Sequence, residues 1–223
     1  DPDTDDENWG RDSDLPLMDF EDITEVAWDD VKEVSLDLGK VKAARAVEMK
    51  FVRDRKIYKY ATNDECWRVM LKALIRLKWS DTDKGLLYRS RLVATEVRPK
   101  WQEAIFAATP PLEVMRALIA IAASGNTKGK PDDGLCLMLI DVSRAHFYAR
   151  SKRRVFIDLP AEDPRAGEPG LCGELERTMY GTYDAAALWV DDYSGHLVDG
   201  GFVKGLVSPC IFRHPKRDIR MMV

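Results

Sequence analysis

Residues 41–61, "VKAARAVEMKFVRDRKIYKYA", open with helix formers and space Val47, Phe51 and Val52 for one buried face, which predicts a helix. The next apolar stretch, "CWRVMLKALIRLKWS" (66–80), fits two periods. Val69, Leu71, Leu74, Ile75 and Leu77 suit a helix, while "ALIRLKW" alternates as a strand does, so both readings stay open. "LLYRSRLVATEV" (86–97) alternates cleanly, with Leu87, Arg89 and Arg91 on one face and Tyr88, Ser90 and Leu92 on the other, and predicts a β-ribbon. "TPPLEVMRALIAIAASG" predicts a helix capped by Thr109, with prolines in its first turn, Glu113 near its N-terminus, a core stripe of Leu112, Met115, Ile119 and Ala122, and a stop at Gly125.

After the polar loop "NTKGKPDDG", the apolar run 135–141 predicts a short strand buried on both faces. "RVFIDLP" (154–160) predicts a strand closed by proline, and "EDPRAGEPG" a loop. Asp184 is placed to cap a helix running to about Val198 and ended by Gly200 and Gly201. In "SPCIFRHPKRDIRMMV", two apolar runs flank a Pro-Lys-Arg-Asp turn and predict a β-hairpin. Short strands interspersed with helices make the expected class α+β, an antiparallel sheet packed on helices.

Charge divides the chain. Residues 1–37 carry 15 Asp/Glu against Arg11 and Lys32, whereas residues 38–223 carry 32 Lys/Arg against 23 Asp/Glu. Such an acidic start cannot bury enough apolar surface to offset its chain entropy, so residues 1–44 are expected to be a disordered leader. The basic remainder, densest between Lys40 and Lys100, suits a polyanionic partner or a solvated face. The strongly apolar stretch Ala117–Ala123 is far short of the roughly 20 residues a membrane span needs, so no membrane role is expected. Asp1 rather than Met comes first and no signal peptide follows, as expected of a fragment. Four cysteines without a C-x-x-C pair suggest an intracellular setting, cytoplasmic or nuclear. Cys210 and His214 alone would make a poor zinc site and read better as strand and turn residues. No internal repeat and no glycine-rich phosphate loop is present, which argues against P-loop or Rossmann nucleotide binding.

The run "LCLMLIDVSRAHFYA" raises a sharper question, because Asp141 ends an apolar segment and is either a cap or a metal ligand. Order along the chain bears on it. "RSRLVATEV", "ATPPLEVMRALIAIAAS", "LMLIDVSRAHFYA", "VFIDLP", "LERTMYGTYDAAALW", "GF" and "SPCIF" followed by an apolar strand together resemble the reverse transcriptase domain of Ty1/copia-type retrotransposons. The resemblance covers about 45–223, weakly before Tyr88 and strongly after it. It implies an RNA-directed DNA polymerase with a fingers-like basic subdomain over 45–108 and a partial palm over 109–223. The implied partners are an RNA or DNA template-primer and a deoxynucleoside triphosphate, and the implied cofactor is Mg²⁺. By this resemblance Asp141 is catalytic and binds metal, with the Val142 carbonyl as a second contact, while Arg89 and Arg91 hold the incoming triphosphate. His146 stands where the family usually has a large aromatic against the ribose, and Asp184 where it has glutamine beside the nucleotide.

Polymerases of this kind also need an aromatic-x-Asp-Asp turn between two strands. "LWVDDYS" has the letters but not the setting, since Trp189, Tyr193 and Leu197 at helical spacing make a buried stripe and Asp191 and Asp192 fall off it. The pair is expected beyond Val223, so the chain should be truncated before its second catalytic motif and inactive alone. The alternatives are a non-catalytic nucleic-acid-binding remnant and a structural α+β protein.

Overall fold

The computed structural model describes residues 26–97, 107, 109–124 and 136–223. In chain order its elements are β1 (Ala27–Trp28), β2 (Ser35–Leu36), α1 (Leu38–Asp54), β3 (Tyr58–Thr62), α2 (Asn63–Met70), β4 (Leu77–Asp83), β5 (Tyr88–Ala94), α3 (Leu112–Ala123), a 3-10 turn (Ala145–Tyr148), β6 (Phe156–Ile157), β7 (Leu171–Leu175), α4 (Ala185–Asp199), β8 (Val203–Lys204), β9 (Ile211–His214) and β10 (Ile219–Met222). The fold is mixed α+β, and its sheets are small and antiparallel. β7 lies between β3 and β6, β4 pairs with β5 as a ribbon, and β9 lies between β10 and β8.

Local chemistry accounts for the element ends. Asp37 accepts a hydrogen bond from Lys40 N at 2.9 Å and starts α1, and Thr62 accepts from Glu65 N at 3.2 Å and starts α2. Leu71 takes a left-handed backbone at φ 51° and stops α2, so the 66–80 stretch divides into a helix followed by β4. The buried face of α1 is Val41, Glu48, Met49 and Val52, with Phe51 half-buried; Val47, expected inside, is exposed. One core joins Met49 and Val52 to Ile57, Ile75, Leu92, Phe147, Val155, Ile157, Leu175 and Met179.

That core crosses the boundary expected near residue 108, as does the β3–β7 ladder that pairs Tyr58 with Leu175. The two stretches therefore share a sheet and a core. Residues 26–44, assigned by composition to a disordered leader, form β1, β2 and the start of α1, and Asp29 is buried among them. Its carboxylate accepts from Val31 N and Lys32 N at 2.8 Å and from Asp83 N at 2.7 Å, which ties the segment to β4 and holds its pKa below the usual value. Residues 1–25 lie outside the described residues.

The β9–β10 hairpin forms as expected, with Ile219 opposite His214 and Met222 opposite Ile211. Cys210 and His214 are both buried, His214 Nδ1 accepting from Arg217 N at 3.2 Å while its ring packs edge-on to Phe202. They are strand and turn residues. α3 forms too, but Pro111 rather than Thr109 takes the N-cap position, without a side-chain cap, and none of its residues is buried. Its expected core stripe is uncovered: Leu112, Met115 and Ile119 are all exposed. Gly125 lies outside the described residues.

Residues 136–142 differ most from expectation. They form no strand, and Leu137, Met138, Leu139, Ile140 and Val142 are exposed, Leu139 completely. An apolar run becomes a strand only when neighbours pair its backbone and cover its faces, and among the described residues no strand pairs with it. None of the helices among the described residues is long and apolar enough to cross a membrane.

Candidate functional site

The β5 pleat places Arg89 and Arg91 on the same face of the β4–β5 ribbon, opposite Thr82 and Ser80, and turns Ser90, Leu92 and Ala94 inward. Arg89 is exposed and Arg91 half-buried. The Arg91 guanidinium lies 5.0 Å from the centre of the Tyr180 ring. The His146 ring, with its centre 4.7 Å from that of Tyr180, packs against the same aromatic. Tyr180 thus joins Arg91 to His146, two residues expected at the nucleotide site.

Tyr180 is held there by the backbone. Ala94 N donates to Tyr180 O at 2.7 Å, and Gly181 follows with φ +83°. A Cβ on Gly181 would fall 1.9 Å from the Ala94 carbonyl oxygen, so glycine is required both for the turn and for the close approach to β5. From the other side, Phe147 meets Tyr180 edge-on at 5.3 Å and Phe51 of α1 at 6.0 Å.

The turn after Asp141 is shaped by Arg144, whose φ of 56° is left-handed and costs on the order of 1 kcal/mol for a residue other than glycine. What holds it is Glu48. Arg144 Nε donates to Glu48 Oε2 at 2.5 Å, and its guanidinium lies over Phe51 at 4.7 Å. The Glu48 side chain is buried, and its Oε1 has no hydrogen-bond partner. His146 Nδ1 is also buried without a partner. Burial first, and then the Arg91 charge, hold the His146 pKa below the ordinary imidazole value, while burial raises that of the Tyr180 phenol. Arg91 and His146 thus both pack against the Tyr180 ring, a guanidinium and an imidazole beside one aromatic, and a guanidinium is a group that suits phosphate oxygens.

Asp141 and Val142 lie just before this turn, both exposed. A carboxylate and a carbonyl are oxygen donors of the kind Mg²⁺ takes, but a two-ion site needs several carboxylates around ions about 3.5–4 Å apart. Among the described residues no group of three or more His, Cys, Asp or Glu side chains is placed to hold a metal ion, so Asp141 and Val142 are the two oxygen donors described at this position. Asp191 and Asp192 lie on α4, not on a turn between strands; Asp191 accepts from Lys152 Nζ at 2.8 Å, and Trp189 and Tyr193, expected on a buried stripe, are half-buried and meet edge-on at 5.4 Å, while Ala185, Leu188 and Ser194 are the buried residues of the helix.

Comparison with protein-family models, curated proteins and solved structures gives no match.

Asp184 is committed elsewhere. It stands at the N-cap position of α4 but makes no side-chain cap; instead Arg153 donates to its Oδ2 at 2.8 Å and its Oδ1 at 3.0 Å. Arg153 also donates to Glu96 Oε1 at 2.8 Å and lies 3.9 Å above the Tyr183 ring. Burial opposes the Arg153 charge, but the hydrogen bonds to Asp184 and Glu96 outweigh it and raise its pKa. The Asp184 carboxylate is thus paired with Arg153 at the start of α4.

Tyr180, Glu48 and Arg144 were not among the residues expected from sequence. Glu48 did carry a signal: it shares a helix face with Val41 and Val52, where a carboxylate implies a buried cation partner. Tyr180 carried only its place before a glycine.

Proposed function

We propose that the chain is the nucleotide-binding part of a nucleotidyl transferase of the Ty1/copia reverse transcriptase kind, comprising fingers and a partial palm. The observation that supports this reading is the meeting of Arg91 and His146 on Tyr180. In this reading Arg89 and Arg91 take the triphosphate of a deoxynucleoside triphosphate, and His146 lies against its sugar. Tyr180 holds the Arg91 guanidinium in place, and guanidinium N–H groups are donors suited to phosphate oxygens. Asp141 would contribute one carboxylate to catalysis, and no metal-dependent step is assigned to this chain alone. A non-catalytic nucleic-acid-binding role is the second reading, favoured by the 32 Lys/Arg against 23 Asp/Glu of residues 38–223.

Calorimetric titration of the full chain tests the first reading. A deoxynucleoside triphosphate should bind, and Arg91→Ala should weaken it about 10- to 100-fold, as expected for loss of a charge-assisted hydrogen bond of about 1.5–3 kcal/mol. Inorganic triphosphate should bind more weakly than the nucleotide and be insensitive to His146→Ala. Absence of nucleotide binding, or full binding by Arg91→Ala, would refute the reading. Primer extension by this chain, abolished by Asp141→Asn, would show that its metal site is complete after all.

A further inference from the structure

Glu48 and Arg144 each occupy a position that their surroundings oppose. Glu48 lies among the buried residues of α1, with Val41, Met49 and Val52, and its side chain is only 2% exposed. A carboxylate there is costly unless it is paired, and an apolar side chain of similar size would fill the place without that cost. Arg144 holds a left-handed backbone that glycine would adopt freely. Both costs meet in one contact. Arg144 Nε donates to Glu48 Oε2 at 2.5 Å, and the guanidinium covers the Phe51 ring of the same helix.

The pair acts on the chain between Asp141 and His146. Upstream of Arg144, residues 136–142 form no strand, and Asp141 and Val142 are exposed. Downstream, Phe147 N donates to the Arg144 carbonyl at 3.0 Å, and His146 packs on Tyr180. A second hold lies beyond that ring, where the Thr178 hydroxyl donates to the His146 carbonyl and Thr178 N to the Ala149 carbonyl at 2.9 Å. Thr178 thus grips the turn from His146 onward, and Glu48 grips it before His146. The same groups surround the Tyr180 phenol: burial raises its pKa, the Arg91 and Arg144 charges lower it, and the Glu48 charge raises it.

We infer that Glu48 is a positioning residue of the candidate nucleotide site: through Arg144 it fixes the turn that sets the His146 ring on Tyr180. A buried ion pair adds little net stability over apolar residues of the same volume, so what this one contributes is a single arrangement of the turn. Glu48 acts through Arg144 and is not itself a ligand-binding group. The consequence for nucleotide binding rests on the proposed function, whereas the placement of His146 does not.

The test combines nuclear magnetic resonance with calorimetry on the full chain. Glu48→Leu together with Arg144→Gly removes both charges, puts an apolar side chain in the core and lets the left-handed backbone form without strain. The thermal midpoint of this double variant should stay within about 4 °C of wild type. The His146 ring protons, assigned by their absence from the His146→Phe spectrum, lie against Tyr180 and carry its ring-current shift. In the double variant they should move towards the position of an unstacked imidazole. Deoxynucleoside triphosphate binding should weaken about 5- to 10-fold and inorganic triphosphate binding less than about twofold. Glu48→Gln keeps the side-chain size and an acceptor for Arg144 but not the charge; it should shift both readouts the same way by less, and it decides the matter if the double variant does not fold. Glu168→Gln, which breaks the exposed Arg165–Glu168 pair, should change neither. The inference is overturned if the His146 signals of the folded variants stay at their wild-type positions, if nucleotide and triphosphate binding weaken equally, or if Glu168→Gln has the same effect. If the wild-type chain binds no nucleotide, the proposed function falls, and the His146 signals alone decide whether Glu48 positions the ring.

Discussion

Gly181 and His146 carry most of what single residues do at the candidate site. Any side chain at Gly181 meets the Ala94 carbonyl, so Gly181→Ala must break the Tyr180–Ala94 hydrogen bond or shift β5. It should cost more than about 3 kcal/mol in a denaturant titration, whereas Gly85→Ala, which has a similar φ but open space around it, should cost about 1 kcal/mol. Equal costs would mean that backbone conformation alone, not the close approach, is what Gly181 satisfies. His146 makes stability depend on pH. Its folded pKa lies below the ordinary imidazole value of 6.5, so between these two values the unfolded chain binds a proton that the folded one does not. Stability should therefore fall as pH drops from about 6.5 towards the folded pKa and level off below it, apart from carboxylate effects. His146→Phe keeps a ring against Tyr180 and removes the titration; the wild-type stability should drop more than the variant's between pH 7.5 and pH 5.5 in urea melts. Parallel curves would place the pH sensitivity elsewhere. Arg91 and His146 could be chosen from sequence because their spacing and order resembled a known family. Glu48 was marked only as a carboxylate on an apolar helix face, and Arg144 could not be chosen as its partner, because a partnership between a helix and a distant turn leaves no periodic mark.

At the scale of elements, periodicity was legible where a segment carries its own signals and silent where a neighbour decides. The β5 ribbon, α3, α4 and the β9–β10 hairpin begin and end near where alternation, glycines and turn residues put them. The ambiguity of 66–80 was physical, since the stretch holds a helix end and a strand start on either side of Leu71. β7 went unread because "LCGEL" contains a glycine and a glutamate; Gly173 lets Ile157 and Tyr58 approach within 3.0 Å and 3.1 Å of where its Cβ would be, and Glu174 is buried against Arg154. A central strand built this way looks like a loop. Asp184 shows the same limit in reverse: its cap position was foreseen, but its side chain serves Arg153. Asp184→Ser separates the two roles, because serine is a good N-cap and cannot pair with an arginine. If the ion pair anchors α4, Asp184→Ser should lose about 3 kcal/mol, as does Asp184→Ala, the low end for breaking a buried pair because Glu96 still holds Arg153. Recovery by serine to within about 0.5 kcal/mol of wild type would make it a cap.

Across the whole molecule, apolar surface is unevenly covered, and this sets how the protein should behave in solution. The main core is closed by α1, β5, the 3-10 turn and β6–β7. By contrast α3, which lies beside β10, exposes Leu112, Met115 and Ile119, and residues 137–140 expose four apolar side chains in succession. A fully exposed leucine or methionine forgoes about 1.5–3 kcal/mol of burial, so these residues add little to stability while offering sticky apolar surface to other molecules. Composition could not reveal this, because the same apolar letters would equally fill a strand covered on both faces. Leu139, completely exposed, separates the two effects. Leu139→Lys should leave the thermal midpoint within about 1 °C of wild type, since surface substitutions away from packed features stay within about 0.5 kcal/mol. It should also lower light scattering at high protein concentration and reduce binding of a hydrophobic dye. A drop of several degrees would mean that Leu139 is packed inside the folded chain, and the 136–142 segment would then be the buried strand that its composition suggests.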